Sequence, residues 1–292
     1  MVIEDAEVLP NPNGTAPGMF LEHNGTAIVL LPGPPREMQP MFSNHVVSKL
    51  EQRSGSVRVV RRMLRVAGMG ESAVDEKIAP VYTKYENPQT TILFNQSEIE
   101  IHLTAHGRTE DEANQLLDRV VLEIEEQLGN AIFAFRGEKM EEVIGLKLAV
   151  GGYTLAVAES CTGGLLAQRI TEVPGSSKYF IEGVVTYSNE SKTRLLGVEQ
   201  ILLLEHGAVS GPVAEAMSEG MRNRAATDFA LSITGIAGPD GGTEDKPVGT
   251  VFIAISSEAG TEHRRLKLPG DRNLIRWRAT QAAMDLLRRR LI

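Results

Sequence analysis

From residue 138 to the end of the chain, short apolar runs alternate with stretches of helical periodicity, and Gly, Pro or Ser punctuates the junctions. This alternation constrains the fold most. A strand that runs parallel to its predecessor needs a long crossover, and a helix supplies it. Helices are expected over 139–150, 165–173, 210–226 and 273–291, with a short one capped by Asn189 and stopped at Gly197. Strands are expected over 153–158, 179–187, 228–234 and 249–256, with 262–268 as an antiparallel addition. The pattern is that of an α/β protein whose residues 137–292 form a three-layer αβα sandwich around a mostly parallel sheet.

Two smaller segments precede it. Residues 1–54 offer one apolar strand (25–31) and one helix (36–50) with Met38, Met41, Phe42 and Val46 near one face. That is too little to bury a core alone. Residues 55–136 read as a small α+β unit with strands over 57–66 and 89–103 and helices over 71–81 and 109–127. In the longer helix Ala113, Leu116, Leu117, Val120, Val121 and Ile124 line one side. Gly68-Met-Gly70 is a bare Gly-x-Gly, weak support for a nucleotide loop.

Composition excludes several functions. With 30 basic against 38 acidic residues the chain carries a formal charge of −8, and aromatic residues make up only 5%. Direct nucleic-acid binding is therefore not expected, since phosphate backbones recruit basic surfaces and single strands need stacking platforms. The single cysteine, Cys161, allows neither an internal disulfide nor a cysteine metal cage, and no histidine–carboxylate ligand motif appears, so no metal is expected. No apolar run is long enough for a bilayer and the first residues lack a signal pattern; a cytoplasmic protein without membrane contact is expected.

Three strand-to-helix loops carry the chemistry, at the sheet edge where such folds bind ligands. In Ala158-Glu-Ser-Cys-Thr-Gly-Gly164, Ser160 can project as a nucleophile while the amides of the following helix start meet an oxyanion, and Gly163 and Gly164 admit substrate to the backbone. On the local pattern alone a Ser160 or Thr162 helix cap is the favoured reading, since serines cap helices widely. Thr186-Tyr-Ser-Asn-Glu-Ser-Lys192 brings the Tyr187 phenol and the Lys192 amine to the same edge. A lysine serves as base only when burial lowers its pKa from about 10.4 toward neutrality; otherwise Lys192 is an exposed helix lysine. Thr234-Gly-Ile-Ala-Gly-Pro-Asp-Gly-Gly242 is richer in glycine than a turn requires, and with Thr234, Gly238 and Gly241 it suits a phosphate or ribose. Arg272 and Arg276, at the start of the last helix, are alternatives for clasping a phosphate. His206 as base and Cys161 as nucleophile are the competing assignments.

These blocks, with Gly207-Ala-Val-Ser210, Lys246-Pro-Val-Gly-Thr-Val251 and Gly270-Asp-Arg272, closely resemble the CinA family (competence/damage-inducible protein), whose C-terminal domain is similar to the nicotinamide mononucleotide deamidase PncC. The resemblance implies hydrolysis of nicotinamide mononucleotide to nicotinate mononucleotide and ammonia, with no cofactor, in a homodimer. It implies Ser160 as nucleophile and Lys192 as its base, with Tyr187, Thr234 and either Arg272 or Arg276 contacting substrate or assisting. Residues 55–136 resemble the family's KH-like domain. Leu9-Pro-Asn-Pro-Asn-Gly-Thr-Ala-Pro-Gly18 and Leu31-Pro-Gly-Pro-Pro-Arg-Glu-Met38 resemble the rear part of its molybdopterin-binding-like domain. The missing front of that domain implies a fragment or an internal start, without the family's ADP-ribose pyrophosphatase activity. A non-catalytic role as a partner in competence or DNA damage is the alternative.

Overall fold

The computed structural model describes residues 2–53 and 57–291. The expected boundary at 54/55 therefore lies outside the described residues.

The front segment is richer in strands than its sequence suggested. Strands β1 (Glu7–Leu9), β2 (Gly18–His23) and β3 (Thr26–Leu30) form an antiparallel sheet in that order. Helix α1 (Pro35–Met41), a π-helical turn (Phe42–Val46) and helix α2 (Val47–Arg53) follow. Leu9, Phe20, Met41 and Val46 make a small core, with Val29 and Leu50 packed on it. The expected buried strand is β3, but its residues alternate between exposed and half-buried, and Phe42 is exposed as well. One face of this sheet is wet, so only alternate residues are covered.

Next come β4 (Arg58–Ala67), α3 (Glu71–Tyr82), β5 (Gln89–Asn95), β6 (Glu98–Gly107), α4 (Glu110–Leu128) and β7 (Ile132–Ala134). Their sheet has the order β5-β6-β4-β7. The expected strand over 89–103 is a hairpin, because Asn95 and Glu98 close a two-residue turn with Gln96 at positive φ. Leu117, Val120, Val121 and Ile124 of α4 are buried, as the sequence pattern implied.

The last part contains α5 (Met140–Gly151), β8 (Leu155–Glu159), α6 (Leu165–Thr171), β9 (Phe180–Val185), α7 (Asn189–Leu196), α8 (Gln200–His206) and α9 (Gly211–Ala225). β10 (Phe229–Gly235), β11 (Thr250–Ser257), β12 (Gly260–Lys267) and α10 (Arg272–Arg288) complete it. Its sheet runs β12-β11-β10-β8-β9. Strand β8 is parallel to both β9 and β10, whereas β11 pairs antiparallel with β10 and with β12. The sheet is therefore mixed rather than mostly parallel: strand composition does not encode direction, and the connection from β10 to β11 contains no helix.

Residues of period two divide the sheet between two cores. Leu155, Val157, Leu231, Ile233, Val251 and Ile253 face α5, α6 and α10. Ala156, Ala158 and Ala230 face α7, α8 and α9 through Leu196, Leu203, Val213, Met217 and Met221. The small residues on this second face let α9 sit close to the sheet, where Ser232 donates a 2.6 Å hydrogen bond to the Ala214 carbonyl. Helix α9 also sits tightly against the end of α7, where a Cβ on Gly220 would overlap the Leu196 carbonyl oxygen. Gly220→Ala should therefore destabilise the protein by about 1–3 kcal/mol, the usual cost of overpacking. Chemical denaturation checks this; an unchanged midpoint would show that the two helices separate freely.

Candidate active site

Because β8, β9 and β10 are parallel neighbours, their carboxyl ends share one edge of the sheet. Glu159, Val185 and Gly235 close the three strands there, so the loops that follow converge. Two backbone bonds lock the junction: Thr186 N–H donates to the Glu159 carbonyl (2.8 Å) and Ser160 N–H to the Ile233 carbonyl (2.9 Å). A cavity of about 280 Å³ opens among the loops, lined by Ser160, Cys161, Tyr187, Lys192, Thr234, Gly238, Asp240, Gly241 and Arg272.

Lys192 is the central group. It sits in the second turn of α7, whose N-cap is Ser188 rather than the expected Asn189: the Ser188 hydroxyl accepts from Ser191 N–H. Its side chain is only 1% exposed, against the ordinary fate of a helix lysine. Nζ donates to the Thr186 carbonyl at 2.8 Å and lies 3.3 Å from Ser160 Oγ. Removal from water disfavours the ammonium and holds the Lys192 pKa below the ordinary lysine value. Ser160 is itself buried.

The neighbouring thiol behaves oppositely. Burial pushes the Cys161 pKa up to about 12, aided by the Glu159 carboxylate. At neutral pH only about one molecule in 10⁵ then carries the thiolate, the form that reacts. His206 is partly exposed at the end of α8 and does not line the cavity.

Glu159, which the sequence reading passed over, is responsible for the loop geometry. It is 1% exposed, and its carboxylate accepts from Gly164 N–H (3.0 Å), Leu166 N–H (3.1 Å) and Ala167 N–H (2.9 Å). The carboxylate thus takes the place of an N-cap, satisfying amides that a helix start leaves unpaired. Neither a Ser160 nor a Thr162 cap forms; Gly164 is the N-cap and has no side-chain cap bond. These amides are therefore not open to an oxyanion, which corrects the expectation for the α6 start. Gly163 and Gly164 have φ of 60° and 96°, and this left-handed turn is why glycines are needed. They shape the loop and do not line the cavity.

The two arginines divide their tasks. Arg276 donates twice to the Thr162 carbonyl, at 3.1 Å from Nε and 2.6 Å from Nη2, and braces the Ser160 loop from outside the cavity. Arg272 lines the cavity, donating to the Gly238 carbonyl (2.7 Å) and to the exposed Tyr187 hydroxyl (3.3 Å). Thr234 is 1% exposed and its hydroxyl donates to the Ala208 carbonyl (2.8 Å), so it secures a cavity wall. Gly238 and Gly241 have φ of 75° and 87° and carry the glycine loop along another wall. Asp240 is the lining carboxylate that the sequence reading did not single out.

Among the described residues, no group of three or more His, Cys, Asp or Glu is placed to hold a metal ion, and no helix is long and apolar enough to cross a membrane.

Residues 137–291 match the family described as "CinA C-terminal domain", and residues 61–134 match "Damage-inducible protein CinA KH domain". A CinA-like protein of Solibacter usitatus is 51% identical, covering 99% of this chain and 70% of that protein. A CinA-like protein of Koribacter versatilis is 46% identical over 100% of this chain and 71% of its own length. Among solved structures, a competence/damage-inducible protein from Agrobacterium tumefaciens superposes with a TM-score of 0.50 at 38% identity, covering 51% of this chain and 91% of that one. A CinA superfamily protein from Klebsiella pneumoniae gives a TM-score of 0.51 at 34% identity over 53% and 98% of the two chains.

The buried, neutral thiol makes a simple expectation. Cys161→Ala should keep turnover within a few-fold of the parent, and iodoacetamide should not inactivate the folded protein at neutral pH. Rapid loss of activity on alkylation would return Cys161 to the list of nucleophiles.

Proposed function

The chain belongs to the CinA family, and on that premise we propose that its C-terminal domain is an amidohydrolase that converts nicotinamide mononucleotide to nicotinate mononucleotide and ammonia. The observation that carries this reading is the 3.3 Å approach of a buried lysine amine to a serine hydroxyl at a cavity floor. Amide hydrolysis needs a nucleophile stronger than water, a base that takes its proton, and an acid that returns a proton to the leaving nitrogen.

The neutral Lys192 amine accepts the Ser160 Oγ proton as Oγ attacks the carboxamide carbon. The 3.3 Å separation is slightly longer than a working hydrogen bond, as is usual before substrate binds. The resulting oxyanion is met by the backbone N–H of Cys161, next to the nucleophile, since Glu159 holds the α6 amides. Collapse of the tetrahedral intermediate breaks the carbon–nitrogen bond, and Lys192 gives its proton to the departing ammonia. Water, deprotonated by the same amine, then cleaves the Ser160 ester and releases the carboxylate product. Arg272 is the arginine suited to the substrate phosphate because it lines the cavity, with the Gly238–Gly241 backbone beside it.

Ammonia release from nicotinamide mononucleotide tests the reading. Ser160→Ala should reduce turnover to background. Lys192→Ala should lower kcat by about 10²–10⁴-fold, the range for loss of a general base. Both variants must stay folded by circular dichroism, and full activity in either would remove the dyad. The pH dependence follows from the direction of the Lys192 shift. Only the neutral amine is a base, and burial lowers its pKa. Activity should therefore rise with pH and level off below about 10.4, the ordinary lysine value. A rise that continues through that value would mean that Lys192 titrates as a solvated amine.

A further inference from the structure

A second cavity, of about 630 Å³, lies away from Ser160. It is enclosed by the β4–α3 connection at Gly68–Gly70, by the β5–β6 hairpin, by β12 and by the outer part of α10. None of its lining residues is shared with the catalytic cavity.

Its charge is opposite in sign to the net charge of the chain. The chain has a net charge of −8, and Arg62, Arg65, Arg169, Arg224, Arg288, Arg289 and Arg290 are all ion-paired. Two arginines on the α10 side of the sheet nevertheless line this cavity without a carboxylate partner, Arg264 of β12 and Arg278 of α10, while the Lys267 side chain belongs to the other face of β12. Arg264 has no side-chain partner among the described residues, while Arg278 donates to the Pro269 carbonyl. The one lining carboxylate, Asp285, is already held by Arg288 at 2.7 Å and Arg289 at 2.8 Å. Both polar ends of Gln281 are also taken: it donates to Glu98 (2.6 Å) and accepts from Arg169 (2.7 Å). Unneutralised like charges around a concave, partly apolar surface focus a positive potential.

The rest of the lining is apolar. Met69, Leu266 and Ala282 contribute to it, and the ring of Phe94, about half exposed, stands at the wall with the Arg278 guanidinium 6.0 Å from its centroid. We propose that this cavity is a second ligand site, for a small phosphorylated compound with an aromatic body, of mononucleotide size. Two guanidinium groups without a carboxylate partner match a phosphate dianion better than a single carboxylate. Phe94 offers a face for stacking, and the Gly68–Gly70 backbone, free of side-chain bulk at its two ends, allows close approach. Trp277, the only tryptophan, lies on α10 next to Arg278 and packs on Arg169 at 3.9 Å, which makes it an internal reporter.

The test uses the whole chain carrying Ser160→Ala and Arg272→Ala, so that the catalytic cavity neither turns over nor retains its lining arginine. Adenosine 5′-monophosphate and inorganic phosphate are titrated separately by calorimetry and by Trp277 emission excited at the red edge. Saturable binding of the nucleotide, at least tenfold tighter than phosphate and accompanied by an emission change, is expected. Adding R264E, on an exposed position of β12, should weaken nucleotide binding by at least tenfold. The milder R264A serves if the reversal disturbs folding. Absence of saturable nucleotide binding, affinity equal to that of phosphate, or affinity indifferent to both Arg264 substitutions would each overturn the proposal. None of these outcomes bears on the Ser160–Lys192 dyad.

Discussion

A primary amine kept out of water is the constraint on which the proposed catalytic edge depends. Lys192 is useful as a base only while it is neutral, and it is neutral only while it is dry and lacks an anionic partner. The structure meets both conditions. Side-chain exposure of 1% removes water, and the protein acceptors near Nζ are a backbone carbonyl and a hydroxyl. The buried carboxylate that would spoil this is Glu159, beside Ser160 in the chain. A carboxylate paired with Lys192 would raise its pKa and keep the proton in place. Instead Glu159 turns both oxygens to the amides of α6, with Oε1 on Ala167 and Oε2 on Gly164 and Leu166. One buried carboxylate thus rigidifies the Ser160 loop while leaving the amine uncompensated.

Helix α10 ties that edge to the remainder of the large sheet. Arg272 reaches the Gly238 loop, and one turn later Arg276 braces Thr162. Further along the helix, Thr280 and Gln281 accept from Arg169 of α6, whose guanidinium also pairs with Glu141 at 2.9 Å and stacks on Trp277. Through Gln281 the network continues to Glu98 and Arg65 of the four-stranded sheet. Burying Arg169 between a carboxylate and neutral acceptors avoids the penalty of an unpaired charge, though such networks are valued more for fixing geometry than for net stability. Two helices that contribute to the site, α6 and α10, are thereby held at a fixed separation.

Much of this was legible from residue patterns. The loops carrying Ser160, Lys192 and Gly238 follow strands whose apolar runs are unambiguous, and parallel order alone brings such loops to one edge. The choice between Arg272 and Arg276 was not legible, because residues four apart on a helix share a face and spacing cannot separate them. Glu159 was missed because its three partners are backbone amides five to eight positions ahead, and main-chain donors leave no mark on side-chain identity. The bond of Thr234 to Ala208 left no mark for a similar reason, since that partner is also a main-chain group. In the front segment, β1 and β2 hide in turn-rich sequence, where Asn, Pro and Gly outweigh short apolar stretches. Strand direction in β11 depends on the loop before it, not on the strand itself.

The central claim concerns the protonation of one amine, and nuclear magnetic resonance reads it directly. Lysine labelled at Cε, with the Lys192 signal assigned by its disappearance in Lys192→Arg, is followed in the free protein from neutral to alkaline pH. Its midpoint should fall below those of the surface lysines, which titrate near the ordinary value of about 10.4. A Lys192 midpoint at or above the surface group would contradict the account, because the amine would then be charged where it is required to accept a proton.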